Sequence, residues 1–181
     1  MKPEKLIQTS KFLSQILRHK PGKIGLELDK NGWADVAELL EKAANYGVAI
    51  DRESLQAVVE NNDKKRFSFS ENGLQIRANQ GHSIDIDLDL KPQRPPETLF
   101  HGTAQQSIKN IKREGLLPMR RQHVHLSTTL ETAQKVGGRH GKAVVLTIQT
   151  SAMTAQGFKF YCSDNGVWLT DAVPPEFIQF P

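Results

Sequence analysis

The chain has 181 residues and predicts an α+β protein built as two lobes. Three observations carry that reading. Apolar residues recur at helical spacing early in the chain, whereas short alternating or continuous apolar runs dominate after position 98. Between the two patterns lies Lys91-Pro92-Gln93-Arg94-Pro95-Pro96-Glu97. Three prolines so close together can neither continue a helix nor sit in a central strand. The expected organisation is a first lobe at 1–92, a linker at 93–97 and a second lobe at 98–181, with no internal repeat.

The first lobe reads as helices followed by a hairpin. Leu6, Leu13, Ile16 and Leu17 fall near helical spacing, and Pro21-Gly22 stops that helix. Val36, Leu39, Leu40 and Ala43 form an i, i+3, i+4, i+7 stripe with Asp35 as its cap. Leu55, Val58 and Val59 mark a third helix begun near Asp51. Arg66 to Ser70 alternates as a strand, Asn72-Gly73 predicts a two-residue hairpin turn, and Leu74 to Arg77 returns. Such an order resembles a winged-helix domain, a class that often contacts nucleic acid.

The second lobe reads as mostly β with two short helices. Leu99-Phe100 leads into His101-Gly102-Thr103, and a helix carrying Ile108 and Ile111 ends at Gly115. His123 to Ser127 alternates, a helix spans about Leu130 to Val136, and Ala143 to Ile148 is a buried strand. Phe158 to Cys162 and Val167 to Leu169 flank an Asp164-Asn165-Gly166 turn. One largely antiparallel sheet is expected.

Composition narrows the function classes. Hydrophobic residues at 38% and charged residues at 24% support a packed core and argue against wholesale disorder. No apolar run approaches the ~18 residues of a membrane span, and MKPEKLIQTS lacks a secretory pattern. A lone cysteine, Cys162, excludes an internal disulfide and a Cys-rich zinc site, so a cytoplasmic, reducing setting is expected. Residues 1–97 hold 15 basic and 15 acidic side chains, whereas 98–181 hold 9 and 5. The whole excess of +4, with four of the six histidines, lies in the second lobe and suggests an anionic ligand there.

Four groups of residues could carry chemistry. Arg18-His19-Lys20 closes the first helix, where cations complement the helix dipole or, alternatively, form a phosphate site. Lys64-Lys65-Arg66 opens the hairpin. Pairing through the turn sets Phe69 against Ile76, Ser68 against Arg77 and Arg66 against Asn79. Phe67, Phe69, Ile76 and Ala78 then face the core, and Arg66, Ser68, Arg77 and Asn79 form an acid-free donor surface followed by Gln80, Gly81, His82 and Ser83. His101-Gly102-Thr103 offers hydrogen bonds and a close backbone approach to a ligand, or is simply a polar turn. Arg121, His123, His125 and Ser127 project to one side of a strand, opposite Val124 and Leu126, with Arg120 a neighbouring cation. No carboxylate lies nearby to complete a metal site, so no metal is expected and an anionic cofactor fits this cluster better.

In order along the chain, these motifs resemble the RNA (tRNA) 2′-phosphotransferase family. The matching segments are Ser10 to Ser14 with Leu17-Arg18-His19, Gly32-Trp33, Asp63 to Phe67, and Ile76 to Ser83. They continue with Phe100 to Thr103, Gly115-Leu116, Arg121 to Ser127, and Asn165 to Leu169. The resemblance implies a winged-helix RNA-binding lobe and a C-terminal ADP-ribosyltransferase-like lobe that binds NAD as a consumed co-substrate. It implies that an internal RNA 2′-phosphate attacks the NAD ribose and expels nicotinamide. From the ADP-ribosylated phosphate, the RNA leaves with a free 2′-hydroxyl and ADP-ribose 1″,2″-cyclic phosphate is released. The family's essential set maps onto Arg18, His19, Arg66 and Arg121, and its NAD-binding strand onto His101, Gly102 and Thr103. His123, His125 and Ser127 join the expected cofactor site, and Lys64, Lys65, Arg77, Asn79, Gln80 and His82 the expected RNA or phosphate surface.

Val167 stands where many protein-modifying ADP-ribosyltransferases carry a glutamate. An incoming phosphate needs no base and would be repelled by a carboxylate, so a phosphate acceptor is favoured. Competing readings are ADP-ribosylation of nucleic-acid terminal phosphates, a non-catalytic winged-helix nucleic-acid binder, and a metal-dependent phosphatase. The expected partner is RNA carrying an internal 2′-phosphate, tRNA among the candidates; no membrane and no obligate protein partner is expected, and a monomer is the default for this size.

Overall fold

In a computed structural model of the protein, residues 3–181 are described. The chain divides into two compact units, Met1–Asp89 and Leu90–Pro181, each with its own apolar core. Both combine helices with small antiparallel sheets, an α+β arrangement.

The first unit runs α1 (Pro3–Arg18), β1 (Ala34–Asp35), α2 (Val36–Asn45), α3 (Arg52–Glu60), β2 (Phe67–Phe69) and β3 (Gln75–Ala78). Leu13, Ile16 and Leu17 of α1 pack with Leu39 and Ala43 of α2, Leu55 and Val58 of α3, and Phe67, Ile76 and Ala78 of the sheet. The caps lie where the sequence puts them. Asp35 accepts from the Glu38 N–H and Asp51 from the Ser54 N–H, each contact worth about 1 kcal/mol. The Ser54 hydrogen bonds hold the Asp51 carboxyl below its usual pKa.

The hairpin register matches the expectation: Phe67 faces Ala78, Ser68 faces Arg77 and Phe69 faces Ile76. The Asn79 N–H also donates to Arg66 O. The turn itself differs. Ser70 O accepts from Gly73 N–H, and the last backbone bond joins Ser70 N–H to Gln75 O, giving a longer loop. Gly73 has φ +70° but Asn72 is not in the left-handed region, so this is not the type I′ turn that requires both. β1 was not anticipated. It extends the sheet to the order β1-β3-β2, with Ala34 against Ile76.

The second unit contains β4 (Leu99–Ala104), α4 (Ile108–Glu114), β5 (Val124–Leu126), α5 (Leu130–Gly137), β6 (Ala143–Ile148), α6 (Thr150–Ala155), β7 (Tyr161–Cys162), β8 (Trp168–Thr170) and β9 (Ile178–Gln179). Instead of one sheet there are two, ordered β4-β6-β9 and β5-β8-β7, all antiparallel. They are stitched together by paired backbone bonds between Phe100 and Ser127. α6 and β9 were not anticipated, and only the last two residues of the expected 158–162 strand pair. The proline-rich stretch is pinned to this unit: Gln93 N–H donates to Phe160 O, and the Thr150 hydroxyl donates to Pro96 O. Among the described residues no helix is long and apolar enough to cross a membrane.

Candidate functional site

In the first unit the C-terminus of α1 delivers Arg18 and His19 to a cluster of basic side chains. The Arg18 carbonyl accepts from Ser83 N–H, and His19 Nδ1 lies 2.9 Å from Ser83 Oγ. The Arg18 guanidinium lies beside Gly81, whose absent Cβ would come within 3.6 Å of Cζ; Gly81 has φ +87°. Arg77 stacks over the Trp33 ring with its Cζ 4.5 Å from the centroid, a cation–π contact worth about 0.5–2 kcal/mol. Trp33 is in turn fixed by Asp29, whose Oδ1 accepts from the Trp33 N–H and, in an Asx turn, from the Asn31 N–H.

His82 sits among these groups and is only 1% exposed. Desolvation first, then the charges of Arg18, His19 and Arg77, push its pKa down from 6.5 to about 4. It is therefore neutral near pH 7, and neither ring nitrogen has a hydrogen-bond partner among the described residues. The sequence reading displayed His82 on a binding surface; the structure buries it. Asn79 is also buried, at 3% exposure, and its side-chain amide donates to Lys65 O. Gln80 is half-buried, whereas Lys64 and Lys65 are exposed.

Asn62 was missed by the sequence reading. It is 8% exposed and joins three elements of the site. Its Nδ2 donates to Ser10 Oγ of α1, and its Oδ1 accepts from Lys64 N–H and from Arg66 Nη1, each at 3.2 Å. Lys65, with φ +40°, is held in this turn by its N–H bond to Asn62 O. Asn62 thus sets the position of Arg66. The only sequence hint is an asparagine just ahead of the Lys64-Lys65-Arg66 run. Beside it, a groove of about 610 Å³ runs between α1 and the loop 61–66, with His19, Lys64 and Arg66 on its wall.

In the second unit Val124 and Leu126 are buried while His123, His125 and Ser127 are half-buried on the other side, as alternation requires. Arg121 lies before β5, and its Nη1 donates to His125 Nδ1 at 2.8 Å, which leaves the His125 proton on Nε2. His101 Nδ1 is 2.9 Å from His125 O. A carbonyl can only accept, so Nδ1 carries the proton and Nε2 is left as an acceptor. Burial lowers the His101 pKa against the opposing hydrogen bond to His125 O, with Arg121 adding to the lowering, so the neutral ring is favoured near pH 7. His123 lies 3.7 Å from Asp171 and tilts against Tyr161.

Gly102 has a structural reason to be glycine. A Cβ there would lie 1.7 Å from Ala133 O and 2.8 Å from Gly137 N, so α5 packs directly on β4. The room that the sequence reading reserved for a ligand is filled on that side by helix backbone. Because the Phe100 N–H and C=O both turn towards Ser127, strand alternation turns those of Gly102 the same way, towards the side where β5 has diverged. Thr103 is half-buried alongside, its backbone against Gly137.

Arg139 is a second residue the sequence reading missed. The Arg121 pKa is lowered by desolvation and then by the charge of Arg139, so the two cations act on each other. The clue was the Arg139-His140 pair within a glycine-rich turn. Among the described residues no three His, Cys, Asp or Glu side chains gather as a metal would require.

Each unit therefore carries a cationic site suited to phosphate oxygens. Comparison with known proteins agrees. A family profile described as RNA 2′-phosphotransferase, Tpt1/KptA family, matches residues 4–172. A relative from Flavobacterium johnsoniae is 57% identical over 171 residues, covering 94% of both chains. One from Nostoc punctiforme is 51% identical over 179 residues, 99% of both, and one from Fusobacterium nucleatum is 53% identical over 175 residues, 96% of this chain and 98% of its own. All three carry the name "Probable RNA 2'-phosphotransferase". With the match running through both units, the chain belongs to the RNA 2′-phosphotransferase family.

Proposed function

We propose that this protein removes an internal 2′-phosphate from RNA by transferring it to NAD, which is consumed. The observation that carries the reading is the cluster around the buried His82: Arg18, His19 and Arg77 all act on that ring against its protonation. Such a cluster is built for a phosphate, and the family supplies the RNA 2′-phosphate as its identity. The element order and three-stranded sheet of the first unit are compatible with a winged-helix lobe, and the paired small sheets of the second with an ADP-ribosyltransferase-like one.

The residues of the second unit fit NAD chemically. Gly102 offers an N–H and a C=O side by side, which match a carboxamide. Neutral His101 offers an acceptor to a ribose hydroxyl, and Arg121 with Arg139 offers cations to a pyrophosphate. When bound, NAD supplies an electrophilic ribose carbon with nicotinamide as leaving group.

The chain's own groups have three tasks. Arg18 and Arg66 screen a phosphate dianion so that it can approach a pyrophosphate, and guanidinium groups do so without losing their charge. Arg121 holds the pyrophosphate or the transferring phosphate. The RNA 2′-oxygen that finally leaves phosphorus needs a proton or an equivalent charge, and His19, aligned by Ser83, is the group assigned to it.

The test is direct. Incubated with a synthetic 2′-phosphorylated oligonucleotide and NAD, the protein should yield dephosphorylated RNA, nicotinamide and ADP-ribose cyclic phosphate by mass spectrometry. Turnover without NAD, or accumulation of ADP-ribosylated RNA as the end product, would overturn this reading in favour of a phosphatase or of a phosphate-capping transferase respectively.

A further inference from the structure

The groove beside α1 has a composition that the reacting phosphate alone does not explain. Only its inner end, at His19 and Arg66, belongs to the phosphate cluster. From there it follows one stripe of α1 outward through Ser14 and Lys11 to Ile7, about 18 Å of helix at 1.5 Å per residue. That is longer than a single nucleotide. Its volume of about 610 Å³ lies within the ~300–1,000 Å³ range of ligand clefts.

Chemistry changes along this length. The middle carries Lys11 on one wall and Lys64 on the other, both exposed. The outer end is apolar: Val58 is buried in the core behind it, Leu6 packs against that core, and Ile7 stands 57% exposed although the core is complete without it. The one acid on the lining is Asp63. Cations spaced along a groove with an apolar floor at its end are what a nucleic-acid strand requires: phosphate oxygens against the lysines and a base face against the aliphatic side chains. The polar side chains on the lining are partly engaged within the protein, Asn62 with Ser10, Asn61 with Ala57 O and Gln15 with Lys23, so the contact rests on the cations and Ile7 and not on reading base edges.

We infer that this groove binds the ribonucleotides flanking the 2′-phosphate, with Lys11 and Lys64 on the backbone phosphates and Ile7 against a base. The inference rests on the 2′-phosphotransferase reading for the identity of the strand. It accounts for RNA rather than a free 2′-phosphorylated nucleotide as substrate, because the groove gains affinity only from a strand that continues past the reacting nucleotide.

The experiment uses the full chain with two substrates that share one 2′-phosphorylated junction, a dinucleotide and a single-stranded hexanucleotide. Binding of the same hexanucleotide without its 2′-phosphate is measured in parallel by fluorescence anisotropy. Lys11→Ala and Ile7→Ala lie at solvent-facing positions, and their folding is checked by circular dichroism. The expected result is a KM lower by about tenfold for the hexanucleotide than for the dinucleotide in the unaltered protein. Each variant should raise KM for the hexanucleotide several times more than for the dinucleotide and weaken anisotropy binding threefold to tenfold. Lys11→Ala should also reduce the salt slope of binding by about one. Equal KM values for the two lengths, equal effects of the variants on both, or unchanged anisotropy binding would overturn the groove assignment. If neither substrate turns over while the variants still weaken anisotropy binding, the 2′-phosphotransferase reading fails and the groove stands.

Discussion

Burial decides what His82 can do. A loop reading Gln80-Gly81-His82-Ser83 after a strand is expected at the surface, where most loops lie. The contacts that bury it come from α1, whose Arg18 settles over Gly81, and from Gly32, whose missing Cβ leaves room 3.4 Å from His82 Nε2. Such contacts join positions far apart in the chain and leave no local pattern, which is also why Asn62 escaped notice while Arg18 and His19 did not. The cost of this burial is measurable. Folded His82 has a pKa of about 4 against an ordinary 6.5. Between those values the unfolded chain binds a proton that the folded chain does not, so stability is complete above pH 6.5 and is lost as pH falls towards 4. The loss has a ceiling on the order of 3 kcal/mol. His82→Gln stays polar but cannot titrate. In urea unfolding, the stability of the unaltered protein relative to His82→Gln should fall by about 2 kcal/mol from pH 7 to pH 4.5. Parallel curves for the two proteins would show that His82 keeps an ordinary pKa.

Elements with their own periodicity and caps were legible; elements created by a neighbour were not. α2 and α3 carry a full stripe and an aspartate cap, and the hairpin register follows from alternation whatever the turn type. β1 and β9 are two residues each and exist only because β3 and β6 offer them a ladder. α6 has no side-chain cap and buries just Thr150 and Met153. The contact of α5 with β4 is the clearest case of packing hidden in a motif. The triplet His101-Gly102-Thr103 looks like a ligand loop, yet its glycine is required by the helix behind it. Gly102→Ala would drive a Cβ into Ala133 O and force α5 off the strand. The expected cost is at least about 2 kcal/mol, at the upper end of overpacking penalties. Gly138→Ala is the control, since its Cβ would meet nothing nearer than Ala143 Cβ at 4.0 Å. Thermal unfolding should show a clear drop in Tm for the first and little change for the second. Similar Tm values for both would mean that the helix has slack to move.

At the scale of the whole chain, charge is divided as the two proposed ligands would require. The net excess of basic residues lies after position 97, yet the first unit, close to neutral, gathers Arg18, His19 and Arg77 around His82. Local clustering therefore matters more than net charge for finding a phosphate site, and the charge split alone pointed to only one of the two. If the first unit holds the RNA phosphate and the second holds NAD, single substitutions should separate the two affinities. Removing one charge-assisted hydrogen bond to phosphate costs about 1.5–3 kcal/mol, a factor of roughly 10–100 in binding. Arg18→Ala should weaken binding of a 2′-phosphorylated oligonucleotide by that factor, with a much smaller effect on NAD affinity measured by calorimetry. Arg139→Ala should do the reverse, because its charge acts on Arg121 in the second unit. Both should lower kcat/KM. A loss of RNA affinity in Arg139→Ala equal to that in Arg18→Ala would contradict the division, and would assign the guanidinium groups of both units to the same phosphate.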